Sequence, residues 1–250
     1  APRPHGLTGQ PARRRLAEAA SLIARLRIEL RASQDHIMEH GPSRSLPAWL
    51  AGASGVLREE AAAPGSAARI LTLCIGGIRT IAIDGRQVRT GIFKAPVPGR
   101  VPVAALGFAG DRQADLRGHG GEQKAGYVYP VEHYTFWSRE LPGADLPHGA
   151  FGENLTTEGI LETQVVPGDR FRVGTAELIV TGPRYPCFKL AAKFGRQDMI
   201  GRFMRSGRSG FYFAVARPGA IGAGDLLERI AAGPPGPSIA AIVQARAAQS

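Results

Sequence analysis

The sequence predicts a mainly β fold, a closed or nearly closed β-barrel with peripheral helices, preceded by a helical N-terminal extension. Three observations carry this. From Ile70 the chain breaks into short apolar runs separated by Gly, Pro and Asp, the pattern of many short strands. Asp84-Gly85 lies between two such runs, a two-residue hairpin signal because both turn positions require positive φ. Before Ile70 the texture is instead rich in Ala and Arg, with one stretch of helical spacing.

In that first stretch Leu16, Ala19, Ile23, Leu26 and Leu30 form one apolar stripe, and Arg25, Arg27, Glu29 and Arg31 face solvent. The helix is expected to stop at Gly41-Pro42, since Pro cannot continue the hydrogen-bond ladder. Residues 43–66 read as a connector with a short helix near 56–63. Strands are expected at 70–75, 79–83, 88–93, 100–106, 125–129, 170–173, 176–181, 211–216 and 226–230. Two helices interrupt them, 131–141, opened by Pro130 at a tolerated first-turn position, and 197–205. Many strands with few helices favour a barrel. Gly233-Pro234-Pro235-Gly236-Pro237 has linker composition and leads to a short Ala-rich helix. The expected organisation is a helical extension and linker over 1–69, a barrel domain over 70–230, and a linker and tail over 231–250.

With 250 residues, 44% of them hydrophobic, and a mean hydropathy of −0.09, the chain can bury a core, and fibrous and disordered classes are excluded. Arginines interrupt every apolar stretch, so no spanning helix is expected. The first residues show no apolar signal core, and the expected location is cytoplasmic. Two cysteines make no disulfide framework and have no zinc-ligand spacing around them. The net charge of +10 raises nucleic acid as a partner. The basic residues are scattered, however, and no aromatic-basic ladder accompanies them. An anionic small ligand or an acidic protein fits better. Lys94, Lys124, Lys189 and Lys193 are the only lysines among 31 basic residues, a bias that GC-rich coding also produces.

Cys187 stands in Gly182-Pro183-Arg184-Tyr185-Pro186-Cys187-Phe188-Lys189. Prolines stiffen this approach, and the flanking cations favour a thiolate, the form that a nucleophile or soft-metal ligand requires. Local sequence leaves that role and a buried structural thiol equally open. Cys74, inside an apolar run, reads as a core thiol. His119-Gly120-Gly121 follows Gly110-Asp111, and its glycines would let backbone amides approach an anion. Gly152-Glu153-Asn154-Leu155 sets a carboxylate beside an amide in a second glycine-framed loop. Gly168-Asp169 reads as a turn before a strand. His36-Ile37-Met38-Glu39-His40 matches an inverted zinc-protease pattern, but the helix ends at once and no third ligand is evident.

In order and spacing, Gly110 to Asp115, His119-Gly120-Gly121, Tyr129 to Tyr134, Phe151 to Thr156, Gly168-Asp169 and Pro183 to Leu190 resemble the MOSC domain, specifically its YiiM-type branch. The resemblance covers about residues 70–230. It implies a β-barrel fold and a molybdenum cofactor, molybdopterin-borne, with Cys187 as the ligand to the metal. Arg184 and Lys189 are implied at its phosphate, with Arg112, Gly120, Gly121 and Asn154 as further cofactor-binding residues. The implied activity is reduction of N-hydroxylated compounds such as hydroxylaminopurines to amines, a detoxification independent of pyridoxal phosphate. A flavin-containing reductase is the implied electron donor. Glu153, His119 and Asp111 are the candidates for proton handling. An alternative keeps the fold and makes Cys187 a carrier of persulfide sulfur for metallocofactor assembly. YiiM-type chains continue into a C-terminal helical domain, whereas this sequence ends soon after its Pro/Gly run. The extension has no recognised counterpart, and a homodimer is one expected use for its helix.

Overall fold

The computed structural model describes residues 67–116 and 120–249. The amphipathic helix of the extension, the His36 to His40 motif and His119 lie outside these residues. Along the described chain run β1 (Arg69–Ile75), β2 (Arg79–Ile83), β3 (Arg86–Thr90), β4 (Ala95–Pro96), β5 (Arg100–Ala104), β6 (Gly107–Phe108) and β7 (Gly126–Pro130). Helix α1 (Glu132–Glu140) precedes β8 (Leu155–Glu158), β9 (Arg170–Val173) and β10 (Ala176–Pro183). Helices α2 (Phe188–Phe194) and α3 (Met199–Ser206) lead to β11 (Phe211–Arg217), β12 (Gly219–Gly222), β13 (Leu227–Ala231) and α4 (Ile239–Ala247).

Eight strands form one sheet in the order β13-β9-β10-β11-β7-β8-β1-β4. Within it only β7 and β8 pair in parallel, because α1 carries the chain back between them, as a parallel connection requires. β12-β5-β6 and β2-β3 are separate small sheets. The expected barrel does not close. β1 meets the segment before β13 through one isolated bridge, Arg69 to Leu226, with Leu227 N–H donating to the Ala68 carbonyl at 2.8 Å. Farther along, β1 pairs with β4 at Cys74 and Ile75 instead. Its outer edge is thus divided between two partners, and the result is an open sheet whose ends touch.

Strand alternation sorts the side chains into two cores. Leu73, Val128, Leu155, Val180, Phe211 and Phe213 belong to the cluster enclosed by the sheet. Tyr127 and Tyr129 point the other way and pack with Trp137, Phe151, Leu190 and Phe203 from the helix side. Trp137 Nε1 donates to Tyr129 Oη at 2.6 Å, and its ring stacks on Phe203 at 5.7 Å. Such contacts add about 0.5–1.5 kcal/mol each beyond burial. The residues after the Gly/Pro run dock rather than trail: Ile239 and Val243 are buried, and Ile239 N–H donates to the Val165 carbonyl at 2.9 Å. No helix among the described residues is long and apolar enough to cross a membrane.

Candidate functional site

One transverse row of the sheet assembles the site. Gly182 of β10 aligns with Tyr212 of β11, and Tyr212 aligns with Tyr127 of β7. Val128 aligns with Leu155, so Asn154, one residue before β8, stands beside Tyr127. Asn154 locks this corner. Its Oδ1 accepts from Tyr127 N–H at 3.2 Å, and its Nδ2 donates to the Cys74 carbonyl and to Asp111 Oδ2, both at 3.1 Å.

Beyond β10 the chain runs through Arg184-Tyr185-Pro186 to Cys187, whose extended backbone (φ −136°, ψ 174°) caps α2. Arg184 is 5% exposed. Its guanidinium lies over the Tyr127 ring at 5.4 Å and the Phe203 ring at 5.2 Å. Among the described residues its buried Nη1 has no hydrogen-bond partner. A buried cation held by aromatic faces with one donor unused is energetically incomplete, because an unmet buried donor costs about 1–3 kcal/mol. An anionic ligand atom at that donor would satisfy it.

The cavity before it encloses about 100 Å³, lined by Cys187, Arg184, Lys189, Arg112, Asp111 and Asn154, among others. These are six of the residues anticipated from sequence. Lys94, Lys124, Tyr127, Gln113 and Tyr212 also line it and were not anticipated. Asp111 faces inward as a fixed ion: Lys94 Nζ lies 2.6 Å from both of its oxygens, and Gly76 N–H donates to Oδ1 at 2.8 Å. Gln113 secures the glycine loop, its Oε1 accepting from Gly121 N–H at 2.7 Å and its Nε2 donating to the Lys124 carbonyl at 2.9 Å. Gly120 and Gly121 therefore sit against Gln113 behind the wall. At Gly91, on the wall, a Cβ would come within 2.1 Å of the Arg112 carbonyl oxygen, so only glycine fits.

Glu153 does not join the site. Its side chain is fully buried and accepts from Gly149 N–H at 2.8 Å, Phe151 N–H at 3.0 Å and Thr156 Oγ1 at 3.1 Å, and from the Tyr134 hydroxyl. It staples the 149–153 loop and, unlike Asp111, does not line this cavity. Lys193 lies behind the wall, donating to the Gly149 carbonyl at 2.6 Å and the Ile92 carbonyl at 3.1 Å. Burial lowers its pKa to about 8 against the pull of Glu153, and Arg184 and Lys94 add to the lowering. Burial, reinforced by Glu153, pushes the Cys74 thiol up to about 12, the behaviour of a core cysteine. Cys187, by contrast, is partly exposed. Among the described residues no cluster of three His, Cys, Asp or Glu side chains can hold a metal ion.

The MOSC domain matches residues 115–228. An uncharacterized Bacillus subtilis protein, YflK, is 44% identical over 170 residues, 68% of this chain and 76% of that protein. The chain belongs to the MOSC family, in its YiiM-type branch. The crystal structure of YiiM from Geobacillus stearothermophilus superposes with a TM-score of 0.61 at 35% identity, over 73% of this chain and 85% of that one. A protein of Gibberella moniliformis named a reductase is 37% identical over 166 residues, which span 64% of this chain but 29% of that protein. The family's matched segment begins within the pocket wall, and Lys94, Asp111 and Arg112 of this MOSC chain precede it.

Proposed function

We propose that this MOSC protein binds a molybdenum–molybdopterin cofactor through Cys187 and reduces N-hydroxylated compounds to amines. The observation that carries the reading is the buried Arg184 guanidinium, with Nη1 unpartnered, at the back of a cavity whose rim holds a partly exposed thiol. The residues present fit such a group. Lys124, Lys189, Arg112 and Arg184 favour an anionic head group, and a soft thiolate suits the metal. At about 100 Å³ the cavity would hold an anionic head group, with the rest of a larger ligand outside it. Kinship with a fungal protein named a reductase supports the redox class.

When bound, the cofactor supplies the two-electron chemistry. The chain's own residues supply position and protons. Cys187 anchors, Arg184 and Lys189 orient, and Asp111, the one of the three proton-handling candidates that lines the cavity among the described residues, is assigned the proton. The balanced change is R–NHOH with two electrons and two protons giving R–NH2 and water, the electrons coming from a flavin-containing reductase. A cytoplasmic location is part of the same proposal.

Elemental analysis of protein made in a molybdate-fed host tests this. Wild type is expected to carry molybdenum stoichiometrically, and Cys187→Ser to carry none while its circular dichroism is unchanged. Wild-type protein free of molybdenum but heavier by one sulfur at Cys187 would instead make the chain a persulfide carrier.

A further inference from the structure

A second concavity opens one residue from Cys187. It encloses about 490 Å³ between Ile83, Asp84, Arg86 and Val88 of the β2–β3 hairpin and Phe188 and Gln197 of the helical segment. That volume lies in the range of small-molecule sites, about 300–1,000 Å³. The hairpin is a sheet of its own, with Asp84 and Gly85 at φ 48° and 74° making its turn. Ile81, paired with Val88, and Ile83, paired with Arg86, share one face, on which Ile81, Ile83 and Val88 are half-buried while Arg86 at the tip and Arg79 at the far end are exposed. An apolar wall therefore stands opposite Phe188, an aromatic ring left 47% exposed.

The two concavities differ in charge. The first is dominated by cations. The second carries one anion, Asp84, and one cation, Arg86, at the hairpin tip, with the Gln197 amide offering both a donor and acceptors. Lys189 marks the divide, lining the first cavity while its Nζ lies 5.9 Å from the Phe188 ring centroid. A flat, uncharged ring with a polar edge matches the second: its face packs between Phe188 and the Ile83–Val88 wall, and its edge meets Gln197 and the hairpin tip.

We infer that the hairpin–Phe188 groove is the substrate subsite, holding the planar, neutral body of a heteroaromatic N-hydroxyl compound so that its nitrogen reaches the rim at Cys187. This rests on the function proposed above, and Phe188 acts in it as a positioning residue. The probe is 2-aminopurine, a neutral flat amine whose fluorescence is quenched on stacking, titrated into the full chain. Saturable quenching is expected with wild type, a roughly tenfold weaker affinity with Phe188→Ala, the loss of one stacking contact, and recovery to within about twofold with Phe188→Tyr. Molybdenum content is expected to be the same in all three, and KM for an N-hydroxylated heteroaromatic to rise with the loss of affinity. Unchanged binding and KM in Phe188→Ala, with molybdenum and reduction intact, overturn the subsite and leave the proposed function standing. Phe188-dependent binding in a protein that holds no molybdenum and reduces nothing supports the groove and overturns the function.

Discussion

Replacing Arg184 by Met removes the charge that the cavity is built around while keeping most of the side-chain volume. Two opposing effects act on the fold. The unpartnered Nη1 costs about 1–3 kcal/mol, and removing it relieves that cost. The contacts with Tyr127 and Phe203, each worth about 0.5–2 kcal/mol, are lost as cation–π attraction and partly kept as packing. The two nearly offset, so the cofactor-free variant is expected to unfold within about 1 kcal/mol of wild type. Ligand binding has no such offset. A charge-assisted hydrogen bond contributes about 1.5–3 kcal/mol, which is roughly tenfold to a hundredfold in affinity. Urea denaturation of cofactor-free protein, paired with molybdenum and pterin content of protein made with molybdate, reads the two effects separately. Wild-type pterin retention in Arg184→Met would refute the assignment of the buried guanidinium to the anion. A loss of several kcal/mol in stability would show that it serves the fold.

Glu153→Gln keeps one acceptor oxygen and puts an amide NH2 where either the Gly149 or the Phe151 N–H now donates. A loss of about 2–3 kcal/mol is expected, a fall of roughly 5–10 °C in Tm, while the folded fraction keeps its turnover. Lost turnover without lost stability would return Glu153 to the chemistry. A thiol reagent near pH 8 is expected to modify Cys187 rapidly and leave Cys74, whose thiol sits at about 12, unmodified until the chain unfolds; Cys187→Ser should then show no fast phase. Lys193, at about 8 when folded against 10.5 otherwise, binds fewer protons folded than unfolded between those values, so stability rises with pH there. About 2 kcal/mol is expected to return between about pH 7 and 9.5, and urea midpoints of Lys193→Met should lack that rise.

The strand domain is legible from residue 70 because period-two apolar runs and Gly/Asp turns are local signals, and Asp84-Gly85 adopts the conformation its sequence demands. Other elements were hidden for physical reasons. β8 reads Leu-Thr-Thr-Glu, yet Thr156 and Thr157 are fully buried; their polarity masks a central strand whose partners come from distant sequence. Helix α2 follows two prolines and spans seven residues, too short for a periodic pattern to emerge. Closure of the sheet is decided by which segment pairs the outer edge of β1, and no local signal reports that. Within the site, the thiol, its flanking cations and Asp111 could be found by residue type. Lys94 could have been found by rarity, since three of the four lysines in an arginine-rich chain line the cavity and Lys193 supports its wall. The placement of Glu153 away from the cavity lining was not legible, because an isolated carboxylate beside glycines looks the same whether it faces a ligand or closes its own loop.

The register of the sheet explains why the site lies where it does. A strand alternates faces, so the row holding Tyr127 and Tyr212 turns away from the enclosed core, which takes Val128, Phe211 and Phe213. Aromatic rings on that outer face need a cover, and α1, α2 and α3 supply it through Trp137, Leu190 and Phe203. Where β10 ends at Pro183 and α2 has not yet begun, the cover is interrupted, and the only buried side chain of that bridging segment is Arg184. A guanidinium is suited to such a gap, because its flat faces pack on rings while its edge keeps donors for a ligand. Three and four residues on, Cys187 and Phe188 fall on the two sides of the same gap, one lining the cationic cavity and the other the hairpin groove. The break between strand and helix therefore creates both concavities at once. If the proposed function holds, lengthening it by a residue between Pro186 and Cys187 is expected to leave pterin bound while molybdenum content falls, and unchanged molybdenum would refute the coupling.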